Sequence, residues 1–446
     1  YFVPIIFLDT DIEGNAPEDR ELTQYLYGGD DKYRLSQEVI LGIGGVRILD
    51  QLGYNSIMRY HMNEGHASLL TLELLRLKKL EYEPEWDIDG VKKMCVFTTH
   101  TPVPAGHDQF SYDLVREVID EYVPFDVLRS LGGQERLNMT SLALNLSGYV
   151  NGVAKEHGKV SKEMFPGYQI DSITNGVHSS TWVCQSFKEL YDVYIPGWIN
   201  DPFSLRYALS IPREQVWSAH EKAKKQLMEY VNTKYNAGFD PETLTIGFAR
   251  RATAYKRADL VFNNMERLNA ICRNAGKIQF LFSGKAHPKD WPGKELIKKI
   301  FYLKEQLKDC VKMVYLEAYD MDLAKLLIPG VDVWLNTPRR PKEASGTSGM
   351  KAAHNGVPSL SILDGWWIEG CIEGVTGWAI GSVNDIGGSD EKEAGFLYDK
   401  LENVLIPTFY NNRQQWIDIM RHSIAINASF FNTHRMVQQY VLNAYL

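Results

Sequence analysis

The second half of the chain alternates short apolar runs with longer stretches in which apolar residues recur at helical spacing. The apolar runs have the length of buried strands and cover residues 244–249, 278–283, 312–316, 331–336 and 360–363. The helical stretches cover residues 257–274, 293–307, 321–328 and 347–355. Strands that alternate with helices predict an α/β fold on a doubly wound parallel sheet. The pattern is again helical from about residue 390 onwards, and we expect these last helices to pack back on the first domain.

The first half contains the same kinds of segment in a less regular order. Strands are predicted at residues 3–8, 56–60, 94–99 and 170–174. Helices are predicted at residues 31–52 and 65–80, with a helix-rich stretch at 139–164. We place the domain boundary just after Asn175-Gly176-Val177, so that an N-terminal domain covers residues 1–179 and a C-terminal domain covers residues 180–446.

The composition is that of a globular protein and narrows the range of partners. Of the 446 residues, 44% are hydrophobic and 23% are charged, and 48 basic and 56 acidic side chains give a formal net charge of −8. Binding a nucleic-acid backbone requires clustered lysine and arginine. No basic tail or stripe stands out, so nucleic acid is not an expected partner. Basic residues in functional motifs are instead expected to bind a small anion.

Cysteine usage and the length of the apolar runs bear on the compartment. The cysteines are odd in number and form no C-x-x-C pair, which argues against a disulfide framework and a structural zinc site; they are Cys95, Cys184, Cys272, Cys310 and Cys371. The apolar runs are too short to cross a bilayer, and no signal peptide is recognisable. We therefore expect a cytoplasmic protein with no membrane partner and no metal.

The densest group of polar residues covers residues 339–351, between a predicted strand and a predicted helix. Small residues let the backbone approach a ligand, and free N–H groups at a helix start favour an anion or sugar hydroxyls. Lys351 lies just inside an apolar helix, where burial disfavours a charged amine. A Schiff base with a pyridoxal cofactor would remove that difficulty. The alternative is a surface loop followed by a capped helix.

A second basic group directly follows the predicted strand 244–249 and consists of Arg250, Arg251, Lys256 and Arg257. Like charges repel, so four cations at the end of a strand favour an anion between them; the alternative is a solvated face. Ligands of parallel sheets bind at the carboxyl ends of strands. Two basic loops at that edge therefore predict a shared phosphate site.

Other motifs are weaker when each is taken alone. Ser283-Gly284-Lys285 follows a predicted strand, as does Thr99-His100-Thr101-Pro102, and Asn63-Glu64-Gly65-His66 opens a predicted helix. Gly42-Ile43-Gly44-Gly45 follows no strand, so we expect close helix packing there rather than a dinucleotide loop. No H-E-x-x-H, P-loop or G-x-S-x-G motif is present, whereas a glycosidase with two carboxylates stays open.

Together these motifs resemble the glycogen (α-glucan) phosphorylase family in its short bacterial and archaeal form. The resemblance covers nearly the whole chain and is strongest at residues 343–351, 251–257, 284–286, 99–102 and 173–177. It implies two Rossmann-like domains of the GT-B glycosyltransferase type with the active site between them. The glucan side would belong to residues 1–179 and the cofactor side to residues 180–446.

The resemblance implies pyridoxal 5′-phosphate as the cofactor. Lys351 would hold it as a Schiff base. Thr347 and Lys256 would contact its 5′-phosphate, and Tyr319 would lie near its ring.

The resemblance also implies a substrate set and a reaction. The residues that would bind the glucan are Asn175, His100, His66, Glu343, Ser345 and Gly346, and the catalytic residues would be Lys256, Arg251, His100 and Glu343. Inorganic phosphate would cleave an α-1,4-glucan to α-glucose 1-phosphate with retention of configuration. A homo-oligomer stays open.

The chain departs from the long-form members of the family at three places. It has Ser348-Gly349 where they have Gly-Asn, Tyr319-Asp320 where they have Tyr-Arg, and Ala252-Thr253-Ala254 where they have Ile-His-Glu. The glycine-rich loop that covers the phosphates in this family is expected to precede residue 1, so we expect an incomplete N-terminal domain.

Two other functions stay open. One is a GT-B glycosyltransferase that uses a nucleotide sugar. The other is a non-catalytic glucan-binding protein in which Trp366 and Trp367 form a sugar platform, although a packed core is the stronger expectation for both side chains.

Overall fold

A parallel β-sheet lies in each of the two units into which the chain divides. The computed structural model describes residues 3–26, 29–81, 86–307, 311–385 and 388–446. Unit 1 comprises residues 1–153, 158–172 and 442–446, and unit 2 comprises residues 154–157 and 173–441. The predicted α/β class with parallel sheets is confirmed. In the described part of the chain, no helix has the length and hydropathy that a bilayer crossing requires.

The strands of unit 1 are short. They are β1 (Tyr60–Asn63), β2 (Cys95–Thr98), β3 (Gln109–Ser111), β4 (Arg136–Asn138), β5 (Tyr149–Gly152) and β6 (Asp171–Ser172). The parallel sheet has the order β1-β2-β5-β6, and β3 pairs with β4 in an antiparallel ladder. All four residues of β2 are buried, as expected for a strand that is covered on both faces.

The α-helices of the first 172 residues surround this sheet. They are α1 (Pro17–Arg20), α2 (Asp31–Val39), α3 (Gly45–Gln51), α4 (Leu70–Glu81), α5 (Ile88–Met94), α6 (Tyr112–Ile119), α7 (Phe125–Gly132), α8 (Met139–Asn145) and α9 (Lys155–Met164). A π-helical turn joins α2 to α3. A Cβ added at Gly42 in this turn would lie only 2.9 Å from the Cβ of Leu69, which confirms that this glycine serves close helix packing.

The sheet of unit 2 has the strand order of a dinucleotide-binding fold. Its strands are β7 (Leu244–Ala249), β8 (Ile278–Ser283), β9 (Val311–Leu316), β10 (Val333–Asn336), β11 (Ser359–Ile362) and β12 (Gly377–Ile380). The order is β12-β11-β10-β7-β8-β9, with all neighbours parallel. The strand order therefore reverses between β7 and β10. Every residue of β7 and β8 is buried.

Helices cover the sheet of unit 2. They are α10 (Ser179–Trp182), α11 (Gln185–Tyr194), α12 (Arg213–Tyr235), α13 (Met265–Asn274), α14 (Trp291–Lys304), α15 (Met321–Gly330), α16 (Thr347–Ala353), α17 (Trp367–Gly370), α18 (Asp390–Lys400), α19 (Ile406–Asn411), α20 (Arg413–His422) and α21 (Thr433–Tyr440). The large core of this unit includes the fully buried Trp198, Trp378 and Trp416.

The predicted strand at residues 3–8 is wrong. These residues form no regular element, and Val3 and Phe7 are 84% and 88% exposed. A strand persists only beside a partner that accepts its hydrogen bonds, and Pro4 lacks an N–H to donate. Apolar character alone therefore predicted an element that has no neighbouring strand among the described residues.

Two further strand predictions need correction. The strand predicted at residues 56–60 begins only at Tyr60, because the pairing with β2 runs from Tyr60 to Asn63. The helix-rich stretch 139–164 is interrupted by β5, and β12 was not predicted.

The cysteines of the described residues differ in burial. Cys95 and Cys272 are buried, and Cys184 and Cys371 are partly buried. Cys310 lies outside the described residues.

Candidate active site

The loops that follow β7 and β10 meet where the strand order of unit 2 reverses. The two strands are adjacent, with Ile246 beside Val333 and Gly247 beside Trp334, so their carboxyl ends lie at one edge. In open α/β sheets, ligands bind at such a switch point. The two basic segments found in the sequence are these two loops.

Glu343, in the loop after β10, forms ion pairs with two cations of the loop after β7. Its Oε2 lies 2.5 Å from Arg250 Nη2 and 2.9 Å from Lys256 Nζ. Its Oε1 lies 3.1 Å from the same Lys256 amine. These side chains are between 7% and 11% exposed, so dissolved salt screens their interaction weakly. The structure thus brings together Lys256 and Glu343, two of the predicted catalytic residues.

Burial and charge together set the protonation of this group. Burial raises the pKa of Glu343, but Arg250 and Lys256 outweigh that effect and hold the pKa below its usual value. Burial and the charge of Arg250 lower the pKa of Lys256 to about 8, although Glu343 opposes them. The site therefore contains an ionised carboxylate beside an amine that can release its proton near neutral pH.

Arg251 differs from its neighbour Arg250. Arg251 is exposed, and among the described residues its guanidinium has no hydrogen-bond or ion-pair partner. The side chain lines a small cavity together with Arg250 and Lys256. It is therefore free to bind an anion that enters this edge of the sheet.

Arg257 does not join the other three cations. It is 4% exposed, and its guanidinium pairs with Asp390 at 2.9 Å and with Glu393. It also donates to the backbone carbonyls of Thr337 and Pro338 at 3.0 and 2.8 Å. The expectation that four cations share one anion is wrong for Arg257, because two carboxylates of α18 already pair with its guanidinium.

Four buried polar atoms at this edge lack a hydrogen-bond partner within the described ranges. They are Arg250 Nη1, Thr253 Oγ1, Asn336 Oδ1 and Ser345 Oγ. A buried polar group without a partner costs about 1–3 kcal/mol. A ligand that offers both acceptors and hydroxyl donors would satisfy them.

Lys351 lies on α16, one helical turn after Thr347, so the two side chains project from the same face. Its amine lies 3.7 Å from the centroid of the Trp182 ring. Among the described residues no carboxylate pairs with it, and burial lowers its pKa. Gly346, which precedes the helix, has a left-handed backbone with φ of 83°.

Tyr319 and Asn175 also belong to unit 2. Tyr319 lies between β9 and α15 and packs against the core, and burial raises its pKa to about 12. The backbone carbonyls of Thr174 and Asn175 accept hydrogen bonds from Arg435 at 2.6 and 3.0 Å. These contacts fix the backbone of the Asn175 loop.

In unit 1, the end of β1 holds His100 at two points. The His100 N–H donates to Glu64 Oε2 at 2.7 Å, and Nε2 lies 2.5 Å from Asn63 Oδ1. Thr101 Oγ1 donates to the same Glu64 oxygen at 2.8 Å. Burial lowers the pKa of His100, although Glu64 opposes this, so the imidazole is neutral at neutral pH.

His66 lies in a second cluster of unit 1. His66, Glu38 and Asp108 offer three atoms of the kinds that bind metals, within 4.8 Å of one another. The Arg34 guanidinium already contacts all three, at 2.7 Å from His66 Nδ1, 2.9 Å from Asp108 Oδ2 and 3.1 Å from Glu38 Oε1. Burial and Asp108 raise the pKa of Glu38 to about 9, which makes it a poor metal ligand near neutral pH.

The predicted sugar platform is absent from the described surface of unit 2. Trp366 and Trp367 are 3% and 1% exposed and pack with Met350 and Phe431. The expectation of a packed core for both tryptophans is confirmed.

Sequence reasoning missed two residues of this site. Arg250 was grouped with the cations but not identified as the partner of Glu343. Asp364 was not considered, yet its Oδ2 accepts the backbone N–H of Glu343 at 2.9 Å. Its position in Asp364-Gly365, directly after a predicted strand, was the signal that could have found it.

A dinucleotide-type strand order with cations at its switch point defines an α/β protein whose candidate ligand site lies at the carboxyl ends of its strands. Comparison with known proteins then identifies the family. The family model of carbohydrate phosphorylases matches residues 125–375. The chain belongs to the carbohydrate phosphorylase family, and the resemblance to glycogen phosphorylases is confirmed.

Three of the relatives match nearly the whole of this chain. The chain is 40% identical to maltodextrin phosphorylase of Thermococcus litoralis, over 98% of this chain and 57% of that protein. It is 36% identical to glycogen phosphorylase of Aquifex aeolicus, over 99% of this chain and 70% of that protein. It is 34% identical to glycogen phosphorylase of Mycobacterium tuberculosis, over 99% and 58%. The chain thus spans less than two thirds of the length of the first and third of these relatives.

Proposed function

We propose that this chain carries the catalytic residues of an α-glucan phosphorylase, which transfers a terminal glucosyl unit from an α-1,4-glucan to inorganic phosphate. The observation that carries the proposal is the buried Glu343 carboxylate between Arg250 and Lys256 at the switch point. A carboxylate can accept sugar hydroxyls while the adjacent cations bind phosphate. Phosphorolysis needs both ligands side by side.

Phosphate is assigned to Arg251 and Lys256. Arg251 is exposed and its guanidinium has no partner among the described residues, and Lys256 is held beside it by Glu343. Cations fixed beside the position where negative charge develops stabilise that charge in the transition state.

The glucosyl unit is assigned to the loop after β10. Glu343 offers carboxylate oxygens, Ser345 offers a buried hydroxyl that lacks a partner among the described residues, and Gly346 lets the backbone come close. Asn175, His100 and His66 are assigned to the same substrate by the family resemblance. The neutral imidazole of His100 can donate to or accept from a sugar hydroxyl.

The reaction breaks the bond between the glucosyl C1 and the glycosidic oxygen, and it forms a bond between C1 and a phosphate oxygen on the same face. The proton of the phosphate passes to the departing glycosidic oxygen. Arg251 and Lys256 hold the phosphate near C1, which lowers the entropic cost of bringing the two reactants together. Their charge offsets the anion that forms when the proton leaves.

The residues of unit 2 fit pyridoxal phosphate. The Lys351 amine has no carboxylate partner among the described residues and a lowered pKa, so more of it is the free base that reacts with an aldehyde. The unpaired Arg250 Nη1 and Thr253 Oγ1 are donors that suit a phosphate. Lys351 would tether the cofactor, Thr347 and Lys256 would contact its phosphate, and Tyr319 would lie near its ring. When bound, the cofactor supplies a phosphate group that exchanges a proton with the substrate phosphate.

The test uses the full-length protein that contains this chain, with pyridoxal phosphate supplied. Maltodextrin plus phosphate should give glucose 1-phosphate. Lys351→Ala should lose both the activity and the absorbance of protein-bound pyridoxal, while the exposed Lys325→Ala on α15 should keep both. A colourless wild-type protein that elongates glucan from ADP-glucose would instead establish the nucleotide-sugar alternative.

A further inference from the structure

We propose that Asp364 is a positioning residue, which holds the backbone of Glu343 so that its carboxylate stands ready for the glucosyl unit. This inference rests on the proposed function, because it concerns the loop assigned to the sugar.

Asp364 follows β11 and makes two backbone contacts. Its Oδ2 accepts the N–H of Glu343 at 2.9 Å, and its Oδ1 accepts the N–H of Gly365 at 2.9 Å. Asp364 itself is 2% exposed. A buried carboxylate that accepts two backbone N–H groups is held in one orientation.

The turn of residues 364–366 also contacts Ser345 in the loop of residues 337–346, which we call the sugar loop. The Trp366 N–H donates to the backbone carbonyl of Ser345 at 2.9 Å. Gly365 has φ of 55°, and a Cβ at this position would collide with that carbonyl oxygen. The turn of residues 364–366 therefore grips residues 343–345 on both sides of Ala344.

The sugar loop needs such a tether. Residues 337–346 form no helix or strand, so no ladder of hydrogen bonds fixes them. The ion pairs of Glu343 fix the end of its side chain against Arg250 and Lys256. Asp364 fixes the other end, at the backbone, and Trp366 anchors the turn because it is buried against Met350.

Protonation of Asp364 should weaken this grip. Burial and the neighbouring Glu343 raise the pKa of Asp364 to about 7, while its backbone bonds and Arg340 act in the opposite direction. The titratable and charged groups that interact with it are Glu343, Arg340 and the Tyr255 hydroxyl. The ionised form is the stronger acceptor at both oxygens, because protonation removes the negative charge and occupies a lone pair of one oxygen. The loop should therefore be held best above about pH 7.

The direction of this pKa shift distinguishes a positioning role of Asp364 from a role in folding stability alone. The unfolded chain loses this proton near pH 4 and the folded chain only near pH 7, so the charged carboxylate lowers folding stability as pH rises through that range. Replacing Asp364 by the uncharged, isosteric Asn removes this cost at about pH 8 but leaves one backbone N–H without an acceptor, so the melting temperature should change little. If Asp364 only stabilised the fold, the same replacement would clearly lower the melting temperature at about pH 8.

The experiment compares Asp364→Asn with Asp240→Asn in the full-length protein. Asp240 also accepts a backbone N–H, from Glu242 at 2.9 Å, but it lies at the amino end of the same sheet. At about pH 8, Asp364→Asn should raise the KM for maltodextrin by about tenfold and change the KM for phosphate by less than about twofold. In the wild type, the KM for maltodextrin should rise as the pH falls towards about 6, and this rise should be smaller in Asp364→Asn. Asp240→Asn should match the wild type.

A second readout does not depend on activity. Amide hydrogen exchange in residues 343–346 should become at least about tenfold faster in Asp364→Asn at pH 8, because one of the two backbone N–H groups loses its acceptor. A wild type that forms no glucose 1-phosphate would overturn the proposed function, while faster exchange in the variant would still support the tether. Unchanged exchange, or equal losses for both substrates with a lower melting temperature, would overturn the role of Asp364.

Discussion

Arg250 and Arg251 are adjacent in sequence and have opposite surroundings. Arg250 is buried against Glu343, while Arg251 is exposed. Removing an exposed side chain costs little stability, so Arg251→Ala should fold normally. If Arg251 binds phosphate, the variant should raise the KM for phosphate by at least about tenfold, because a hydrogen bond to a charged group contributes about 1.5–3 kcal/mol. Steady-state kinetics in the full-length protein, with each substrate varied in turn, measures this.

The matched control for Arg251 is Arg206→Ala. Arg206 is exposed as well and stacks on Phe203 and Tyr207. It should leave both KM values unchanged. Equal losses for phosphate and maltodextrin in Arg251→Ala would remove the phosphate assignment.

At the level of single residues, the sequence could identify the right loops but not the contacts within them. The four cations after β7 were visible as a group, yet nothing in their spacing tells that Arg257 turns towards α18 while Arg250 turns towards Glu343. The orientation of Arg257 depends on Asp390 and Glu393, and that of Arg250 depends on Glu343, all of them distant in the sequence. The position of Asp364 after a predicted strand is visible in the sequence, but its contact with the Glu343 N–H depends on how two loops meet in the fold.

At the level of elements, Arg257 anchors α18 to the loops after β7 and β10. Arg257→Ala would leave the buried Glu393 without its cation, and breaking a buried ion pair costs about 3–5 kcal/mol. Arg257→Lys should not restore stability, because an ammonium cannot reach two carboxylates and two carbonyls with the fork geometry of a guanidinium. Thermal unfolding measures both variants.

Arg267 of α13 provides the comparison, because it forms an ion pair with the same helix, α18. It pairs with Asp399 of α18, but the two side chains are 36% and 58% exposed. Arg267→Ala should cost at most about 1 kcal/mol. If the two alanine variants lowered the melting temperature equally, burial would not be what makes the Arg257 contact important.

The strands differ in how well the sequence predicted them, and the reason is physical. β7 and β8 are six-residue apolar runs with every residue buried, so their pattern was clear. β5 reads Tyr-Val-Asn-Gly and contains residues that disfavour strands; it forms because it pairs with β2, with Val150 beside Phe97. The run at residues 3–8 has the opposite character: it is apolar, but it has no partner strand among the described residues.

For the whole molecule, contacts rather than sequence order decide which unit a segment joins. Residues 154–157 belong to unit 2 although both flanking segments belong to unit 1, and residues 442–446 belong to unit 1. A single boundary drawn on the sequence cannot represent this exchange. The alternation of strands and helices in the second half predicted the parallel sheet of unit 2, whereas a second Rossmann-like domain was implied only by the family resemblance.

Each unit contains a histidine whose lowered pKa makes stability depend on pH. Burial and the charge of His100 lower the pKa of His61 in unit 1 to about 4. Burial lowers the pKa of His354 in unit 2 to about 4, where its ring bonds to Ser179 Oγ at 2.9 Å and to the Met350 carbonyl at 2.8 Å. Between about pH 6.5 and 4, the unfolded chain binds protons that the folded chain does not. Stability from both residues is therefore fully present above about pH 6.5 and is lost as pH falls towards 4.

His354→Gln should remove the part of this dependence that belongs to unit 2. A glutamine does not titrate, so the variant should be less stable than the wild type at pH 7, where it loses a well-bonded ring, and should converge towards it as pH falls. Each of the two histidines can change the free energy of unfolding by at most about 1.4 kcal/mol per pH unit. Melting temperatures between about pH 4.5 and 7 measure the slope, and the exposed His434→Gln is the control. A variant that keeps the full wild-type slope would show that His354 does not contribute to the pH dependence of stability.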